Sequence, residues 1–315
     1  ADGIGISNGA QENRIGTDGD GISDHLERNV ISGSMRSGVT IEGVGTERNA
    51  IAGNYIGTDI DGADALPNLA NGVTIIGRAN SNRVGTDGSA DEFNASERNI
   101  ISGNTQYGVG IWDTDLSTIA GNYIGTDATG FAGLANGNTG VCIINTSGKA
   151  QGNIIGTNGD GVGDQSEGNV ISGNRTQAIH ITGAGSDNNT VAGNYIGTNR
   201  TGTETIANGE FGVLIDWGSK GNRVGTDGNG VGDVAERNVI SGNAGAGVVI
   251  RYSGTDQNVV AGNFIGTTAD GTSALGNLWG VAITGGARDN IVGTNGDGVA
   301  DAIEGNVISG NKQHG

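Results

Sequence analysis

Short alternations of apolar and polar residues, separated by glycine and asparagine, recur along the whole chain. The clearest is a four-residue phrase of glycine, an apolar residue, a variable residue and a second apolar residue, such as GVTI or GVVI. The phrase begins at Gly3, Gly38, Gly72, Gly108, Gly140, Ala178, Gly212, Gly247 and Gly280. A spacing of about 35 residues is typical of repeat proteins, in which a unit too small to bury its own apolar face stacks on its neighbours.

Each unit contains three alternating segments that are too short for helices. They are the GVxI phrase, an N-x-(V/I) phrase and an IGT or ISG phrase, all bounded by glycine and asparagine. Three short strands per turn predict a triangular coil in which successive turns pair in parallel and equivalent Val and Ile residues stack inside. About nine turns at about 4.8 Å each give a rod about 40 Å long.

Two unit types alternate. The first carries an AGN(Y/F)IGT block, followed by a polar loop, at Ala52, Ala120, Ala192 and Ala261. The second places its loop earlier, after N-x-(V/I)-G, and resumes with N-(V/I)-ISG. The true repeat is therefore a pair of units of about 70 residues, and we predict one elongated domain over residues 1–315.

Asparagine recurs at equivalent bends. One slot holds Asn13, Asn49, Asn82, Ser117, Asn153, Asn189, Asn222, Asn258 and Asn290, and another holds Asn104, Asn174, Asn243 and Asn311. Such columns predict asparagine ladders, in which each amide bonds to the asparagine one turn away. Ligand binding is the disfavoured alternative, because binding sites are local whereas every turn has these residues.

The N-x-I-x-G-N and GVxI phrases resemble, over essentially the whole chain, the right-handed parallel β-helix repeats of bacterial extracellular proteins. The resemblance implies an all-β, single-stranded parallel β-helix at an extracellular or cell-surface location. That family includes polysaccharide lyases, glycoside hydrolases and alginate epimerases beside non-catalytic surface and adhesin-like repeats. The resemblance therefore predicts the fold of this chain but not its activity.

Composition and charge narrow the partners. The 315 residues include 64 Gly and one Pro, and 4% are aromatic; regular Val and Ile positions supply the core that such a composition otherwise lacks. The net charge of −18 repels phosphate backbones and anionic membranes, which argues against nucleic acid as a partner. We also expect no membrane insertion, since no apolar run is long enough, and no disulfide within the chain, since Cys142 is alone.

Loops of the second unit type are acidic. The loop from Gly16 reads GTDGDGISDHLERN and resembles EF-hand and thrombospondin-type calcium loops, with Gly21 at the obligatory turn. The third, fifth, ninth and twelfth loop positions are Asp18, Asp20, Asp24, Glu27; Asn158, Asp160, Asp164, Glu167; Asp227, Asn229, Asp233, Glu236; and Asn295, Asp297, Asp301, Glu304. This resemblance implies a hard cation, and calcium is the predicted cofactor.

These loops also depart from the calcium pattern. The first loop position is a glycine in all four copies, and the copy from Gly85 has an inserted residue that puts Glu97 out of register. In the alternative interpretation, Asp and Asn make turns with the backbone, and residues such as Asp24 cap a short helical turn that ends at Glu27.

One stretch of outward strand positions is chemically distinctive. His180, Asp216 and Arg251 are the candidate catalytic residues, and Trp112, Asp113, Trp217 and Tyr252 are the candidate ligand-binding residues. His180, Asp216 and Arg251 fall on three consecutive turns, so neighbours would lie about 5 Å apart. Aromatic rings beside charged groups are what a sugar-binding face needs.

A structural interpretation of the same stretch is favoured. Asp216 and Arg251 make a natural surface ion pair, and Trp217 and Tyr252 would cover strand surface. The paired aspartates and basic triplet of polygalacturonase-like hydrolases, and the DPH motif of the epimerases, are missing. We therefore expect no catalysis.

Three functions remain open. The favoured one is an extracellular structural or adhesive module with calcium-binding loops; the others are a carbohydrate-active or polysaccharide-binding β-helix and a scaffold without ligand. Expected partners are a polysaccharide or another surface protein. Because solenoid edges need caps and neither end shows one, we expect a segment of a longer repeat protein or, alternatively, end-to-end self-assembly into a filament.

Overall fold

Each turn of the chain contributes one short strand to each of three parallel sheets. The computed structural model describes residues 1–315 and contains three nine-stranded sheets, A, B and C, in which every strand pairs with the equivalent strands of the turns before and after it. The predicted three-stranded parallel coil is confirmed.

Strands are numbered along the chain from β1 to β27, and every third strand falls in the same sheet. Sheet A contains β1 (Ile4–Ser7), β4 (Val39–Glu42), β7 (Val73–Ile76), β10 (Val109–Trp112), β13 (Val141–Ile144), β16 (Ile179–Thr182), β19 (Val213–Asp216), β22 (Ala246–Arg251) and β25 (Trp279–Thr284). Sheet B contains β2 (Arg14–Gly16), β5 (Ala50–Ala52), β8 (Arg83–Gly85), β11 (Thr118–Ala120), β14 (Ile154–Gly156), β17 (Thr190–Ala192), β20 (Arg223–Gly225), β23 (Val259–Ala261) and β26 (Ile291–Val292). Sheet C contains β3 (Val30–Ile31), β6 (Tyr55–Ile56), β9 (Ile100–Ile101), β12 (Tyr123–Ile124), β15 (Val170–Ile171), β18 (Tyr195–Ile196), β21 (Val239–Ile240), β24 (Phe264–Ile265) and β27 (Val307–Ile308).

The core is a set of stacked Val and Ile columns along the axis of the coil. In sheet A, Val39 pairs with Val73 and Ile41 with Ile75 in register, and all four side chains are fully buried. A continuous cluster of 34 buried residues includes Ile6 in the first turn and Ile265 near the last. Alternation therefore sends every second strand residue into the core and leaves the others on an outer face.

Asparagine ladders run along all three corners between the sheets. The ladder between sheets A and B is the predicted one, and Ser117 interrupts it: the backbone N–H of Asn82 bonds to Ser117 Oγ at 3.4 Å, and the N–H of Ser117 bonds to Asn153 Oδ1 at 2.9 Å. The ladder between sheets C and A contains the four predicted asparagines alternating with four others, Asn68, Asn136, Asn208 and Asn277.

The ladder between sheets B and C escaped the sequence analysis. Its members are Asn29, Asn54, Asn99, Asn122, Asn169, Asn194, Asn238, Asn263 and Asn306. The signal was present in the AGN blocks and in the asparagine before each (V/I)ISG phrase. In all three ladders, except at Ser117, the amide nitrogen of one turn donates to the amide oxygen of the next turn, so the bends bury no unpaired amide groups.

The acidic loops contain the only helices, α1 (Asp24–Glu27), α2 (Asp164–Glu167) and α3 (Asp301–Glu304). The predicted helical turn ending at Glu27 is present, but the predicted cap is wrong: Ser23 occupies the capping position in a left-handed conformation, and Asp24 is the first helical residue. No helix in the structure has the length and apolar character needed to cross a membrane.

Candidate functional site

Sheet A brings three of the predicted site residues together on its outer face. Strands β16, β19 and β22 are neighbours, and their register places Thr182 beside Asp216 and Asp216 beside Arg251. His180 lies on the same outer face, two residues before Thr182 along β16. Parallel in-register pairing keeps adjacent side chains of one column about 5 Å apart, so these polar groups are within reach of one another.

Asp216 is the centre of this cluster. Its side chain is fully buried; its Oδ1 lies 3.0 Å from His180 Nε2, and its Oδ2 accepts from Arg251 Nε at 3.1 Å. Burial raises the pKa of the Asp216 carboxyl, but hydrogen bonds from His180, Thr182 and Arg251 outweigh it and hold that pKa below its ordinary value. The carboxylate is therefore ionised at neutral pH and orients both the imidazole and the guanidinium.

Two aromatic residues directly follow this cluster in the chain. The ring centroids of Trp217 and Tyr252 are 4.4 Å apart, and Trp217 remains 61% exposed. The guanidinium of Arg251 lies 4.9 Å from the Tyr252 ring. Both residues have positive φ, +53° for Trp217 and +75° for Tyr252, a conformation that is unusual for bulky side chains and marks local strain. The result is an exposed aromatic ledge beside a charged cluster.

Trp112 and Asp113 are not part of this cluster. Trp112 lies on β10, separated from β16 by β13, and its ring packs against Tyr107 with centroids 5.7 Å apart. The Asp113 carboxylate accepts hydrogen bonds from the backbone and hydroxyl groups of Thr146 and Ser147 and from the Gly148 N–H.

Those bonds fix the loop that follows β13. Burial is the largest single influence on the pKa of Asp113 and raises it, but the hydrogen bonds from Thr146, Ser147 and Gly148 together outweigh burial and lower the pKa to about 2. Asp113 is thus engaged within the fold rather than presented to a ligand.

Sequence reasoning missed Cys142, which pairs in register with His180. Its thiol is buried; burial, and secondarily the charge of Asp216, raises its pKa. A thiol that stays protonated is a poor nucleophile, so Cys142 serves as packing beneath the histidine. Only the strand register, and not the local sequence, identifies this neighbour.

The acidic loops share one internal hydrogen bond. In each loop the final glutamate accepts, through its Oε2, the backbone N–H of the residue two places after the first loop glycine. The donor and acceptor pairs are Asp18 and Glu27, Asp87 and Glu97, Asn158 and Glu167, Asp227 and Glu236, and Asn295 and Glu304. The copy from Gly85 keeps this bond despite its inserted residue. The terminal glutamates therefore close their loops, which is the role the turn-forming interpretation gives them.

Other loop carboxylates also accept backbone hydrogen bonds. Asp20 Oδ1 accepts the N–H of Ile22 at 2.7 Å, and Asp160 Oδ1 accepts that of Val162 at 2.8 Å. These are the side-chain-to-backbone turns expected of Asp in loops.

Two loops nevertheless concentrate carboxylate oxygens. One oxygen from each of Asp18, Asp20 and Asp24 lies within 4.8 Å of the others, and the same holds for Asp227, Asp233 and Glu236. Asp24 Oδ1 is buried without any hydrogen-bond partner. In the loops that begin at Gly156 and Gly293, the predicted ligand at position three is an asparagine whose amide donates to the neighbouring carboxylate of Asp160 or Asp297.

The acidic loops also contact one another along the rod, every second turn. The glutamates Glu97, Glu167, Glu236 and Glu304 lie against Gly19, Gly88, Gly159 and Gly228 of the preceding acidic loop. Burial raises the pKa of Glu167, against hydrogen bonds from Thr157 and Asn158, and the charges of Asp164 and Asp160 raise it further. Negative charge thus accumulates in one stack of loops.

No protein-family model matches the chain, and no curated protein matches its sequence. Among solved structures, the chain is similar to the A-module of the mannuronan C-5 epimerase AlgE4 from Azotobacter vinelandii, with 12% identity and a TM-score of 0.37 over 98% of this chain and 100% of that one. It is also similar to a TibC-catalysed hyper-glycosylated TibA fragment, with 12% identity and a TM-score of 0.18 over 92% and 100% of the two chains. The class of protein follows from the sheet topology itself: a parallel β-solenoid repeat protein.

Proposed function

We propose that the protein is an extracellular or cell-surface structural module of bacterial type, with adhesive capacity, whose acidic loops bind calcium. The observation that carries the proposal is the convergence of one carboxylate oxygen from each of Asp18, Asp20 and Asp24, in a loop where Asp24 Oδ1 is buried without a hydrogen-bond partner. A buried carboxylate oxygen without a donor costs free energy, and a cation supplies the missing partner.

The chemistry of the ligands favours a hard cation. The first loop offers three carboxylates, and Asp227, Asp233 and Glu236 offer three more in the loop from Gly225. Calcium takes six to eight oxygen ligands in flexible geometry, including backbone carbonyls and waters, so three carboxylates form a partial set. Asp18, Asp20 and Asp24 would hold one ion and Asp227, Asp233 and Glu236 another.

A bound cation would act on the rod as a whole. Because the acidic loops stack every second turn, neutralising their charge relieves repulsion along one side of the coil. A ligand that binds only the folded chain stabilises it by mass action, by about 2.7 kcal/mol at a free concentration one hundred times the Kd. We infer that calcium stiffens the module for a structural or adhesive role toward a polysaccharide or another surface protein.

Thermal unfolding in calcium and in chelator tests this proposal. We expect calcium to raise the Tm by about 4 °C or more, and terbium, a luminescent substitute for calcium, to report binding directly. The double variant Asp24→Asn with Asp233→Asn should lose most of the increase. Glu204→Gln, which removes one exposed carboxylate in a loop of the other unit type, is the matched control and should keep it. Equal Tm values in calcium and in chelator, with no terbium signal, would show that the acidic loops form turns and do not bind calcium.

A second candidate, a polysaccharide-binding or carbohydrate-active face, is favoured by the cluster around Asp216. The exposed Trp217–Tyr252 pair offers an apolar ring face beside the Arg251 cation, and an acidic sugar needs both. A histidine oriented by a buried carboxylate is the arrangement that proton transfer needs.

Binding and turnover of polygalacturonate and of alginate distinguish the two candidates. Trp217→Ala and Arg251→Gln should weaken polysaccharide binding at least about fivefold if this face is a site, since each removes an interaction worth at least about 1 kcal/mol. Trp279→Ala, a change at a partly exposed tryptophan on the last strand of the same sheet, is the control. Unchanged binding in the first two variants would exclude this face.

A further inference from the structure

An aromatic residue recurs on the outer face of sheet C in every turn of the first unit type. These residues are Tyr55, Tyr123, Tyr195 and Phe264, each the first residue of its strand. They occupy one column, alternating with Val or Ile from the turns of the second type. The four rings are therefore four copies of one environment.

Three of the four rings carry an arginine supplied by the preceding turn. The guanidinium carbon of Arg28 lies 4.1 Å from the Tyr55 ring centroid, that of Arg98 lies 4.4 Å from Tyr123, and that of Arg237 lies 4.3 Å from Phe264. The Nε–H of each arginine donates to a glycine carbonyl just before the ring: Gly53 at 3.4 Å, Gly121 at 3.1 Å and Gly262 at 2.7 Å. Ring face and carbonyl together define a guanidinium site.

The copy at Tyr195 lacks its arginine, because Gly168 stands at the equivalent position. The backbone there is unchanged: φ and ψ are −60° and 128° at Gly168 and −59° and 130° at Arg28. The Gly193 carbonyl, which corresponds to those of Gly53, Gly121 and Gly262, receives no hydrogen bond from a side chain. The arginine side chain is missing and the Tyr195 ring face remains, while the Gly193 carbonyl oxygen lies close to Gly168, within 2.2 Å of where a Cβ would be.

A groove of about 1020 Å³ opens at this place, between the acidic loops of the fifth and seventh turns. Gly193 and Tyr195 line it together with three charged residues, Asp164, Asp233 and Arg237. The two carboxylates are 8% and 4% exposed, and the chain as a whole has a net charge of −18. Two carboxylates against the one guanidinium of Arg237, which is already stacked on Phe264, leave the lining with a net negative charge that favours a cation.

We propose that this groove binds the guanidinium group of a second molecule, such as the arginine side chain of a peptide. The guanidinium stacks on Tyr195, as those of Arg28, Arg98 and Arg237 stack on their rings within the chain. It donates to the Gly193 carbonyl, which no side chain occupies. Lysine is a poorer fit, because its ammonium lacks the planar face that stacks on the ring. This site shares Asp233 with the second proposed cation site, but its ring face and carbonyl come from Tyr195 and Gly193, which belong to neither cation site. It is separate from the face around Asp216, and it depends on neither proposed function.

Backbone amide NMR with arginine amide as the probe, and lysine amide at the same ionic strength as the control, tests the proposal. We expect saturable shifts at Gly193 and Tyr195, at least about tenfold weaker for lysine amide. Gly168→Arg supplies the missing side chain from within and should abolish the shifts. Arg98→Gly empties the site over Tyr123 and should create a second set of shifts at Gly121 and Tyr123. A blocked Gly-Arg-Gly tripeptide identifies the source: tighter binding than arginine amide indicates a peptide partner, and equal binding indicates a small guanidinium ligand.

Three results would overturn the proposal: no saturable shift with arginine amide, equal binding of lysine amide, or undiminished binding to folded Gly168→Arg. A Cβ at Gly168 would lie 2.2 Å from the Gly193 carbonyl oxygen, so that variant requires the carbonyl to move. If it does not fold, Tyr195→Leu takes its place, and loss of arginine binding there together with gain of a site in Arg98→Gly supports the same assignment.

Discussion

The imidazole Nε2 of His180 lies 3.0 Å from the Oδ1 of Asp216, a residue 36 positions later in the chain and one turn further along the rod. Arg251, on the following turn, contacts the other carboxylate oxygen. Three consecutive strands thus place one buried anion between two groups that can carry positive charge. This relationship holds the Asp216 carboxylate from both sides on the outer face of sheet A.

Asp216→Asn should destabilise the protein by about 1–3 kcal/mol, because the amide cannot accept from both His180 and Arg251 as strongly and leaves the guanidinium without its anion. Urea unfolding followed by circular dichroism measures the change. Glu204→Gln, with the same loss of charge at an exposed loop site, should alter stability by less than about 0.5 kcal/mol. Equal effects in the two variants would show that the buried network adds nothing to stability.

Lowering the pH should remove the contribution of Asp113 to the stability of the fold. Its folded-state pKa of about 2 lies below the ordinary 3.8, so the stability it adds is complete above about pH 4 and is lost as the pH falls toward 2. The stability difference between wild type and Asp113→Asn should therefore shrink over this range. Thermal melts at half-unit pH steps measure it, and a difference that stays constant from pH 5 to pH 2 would contradict the assignment.

Truncating an asparagine should destabilise the protein most where its ladder is continuous. Asn189 Nδ2 donates to Asn222 Oδ1 and to the Ala150 carbonyl, and its Oδ1 accepts from Asn153, all in the buried interior. Asn189→Ala should cost about 2–4 kcal/mol, because it leaves these partners unsatisfied. Ser117→Ala, at the interruption of the same ladder, should cost about 1 kcal/mol or less. A larger loss at Ser117 than at Asn189 would contradict the ladder as the source of stability.

Glycine should be required at the end of the sheet B strands β2, β8, β14 and β20, which belong to turns of the second type and are followed by another turn. Gly85 has φ +102°, and a Cβ there would lie 1.8 Å from the Ala120 carbonyl oxygen in the next turn. Gly33 also has positive φ, +73°, but no atom lies within 4 Å of its added Cβ.

Gly85→Ala should therefore cost at least about 3 kcal/mol, because it forces two turns apart. Gly33→Ala should cost about 1 kcal/mol, from backbone strain alone. Comparison of the two melting temperatures separates the clash from the strain, and equal losses would show that close packing between turns is not the constraint.

The periodic sequence determined the coil because its signals are local and repeated. Alternation within each GVxI phrase sets which residues face inward, and the glycine and asparagine between phrases set the bends. Because the unit occurs nine times, single exceptions such as Ala178 and Ser117 do not hide the pattern. The ladder between sheets B and C was missed because its asparagines lie within two different phrases, AGN and N(V/I)ISG. Only the stacking of unlike units brings them together.

The tertiary structure decided what the exceptional residues do. The burial of Asp216, the engagement of Asp113 by its neighbouring loop and the convergence of Asp18, Asp20 and Asp24 depend on side-chain conformations and on contacts between turns. The missing arginine over Tyr195 can be recognised only by comparison with the three equivalent rings that each carry an arginine. The architecture can be predicted from the amino-acid sequence, because the same strand and bend signals recur in every turn. The candidate sites emerge only from the folded chain, because each depends on a few side chains that meet across turns.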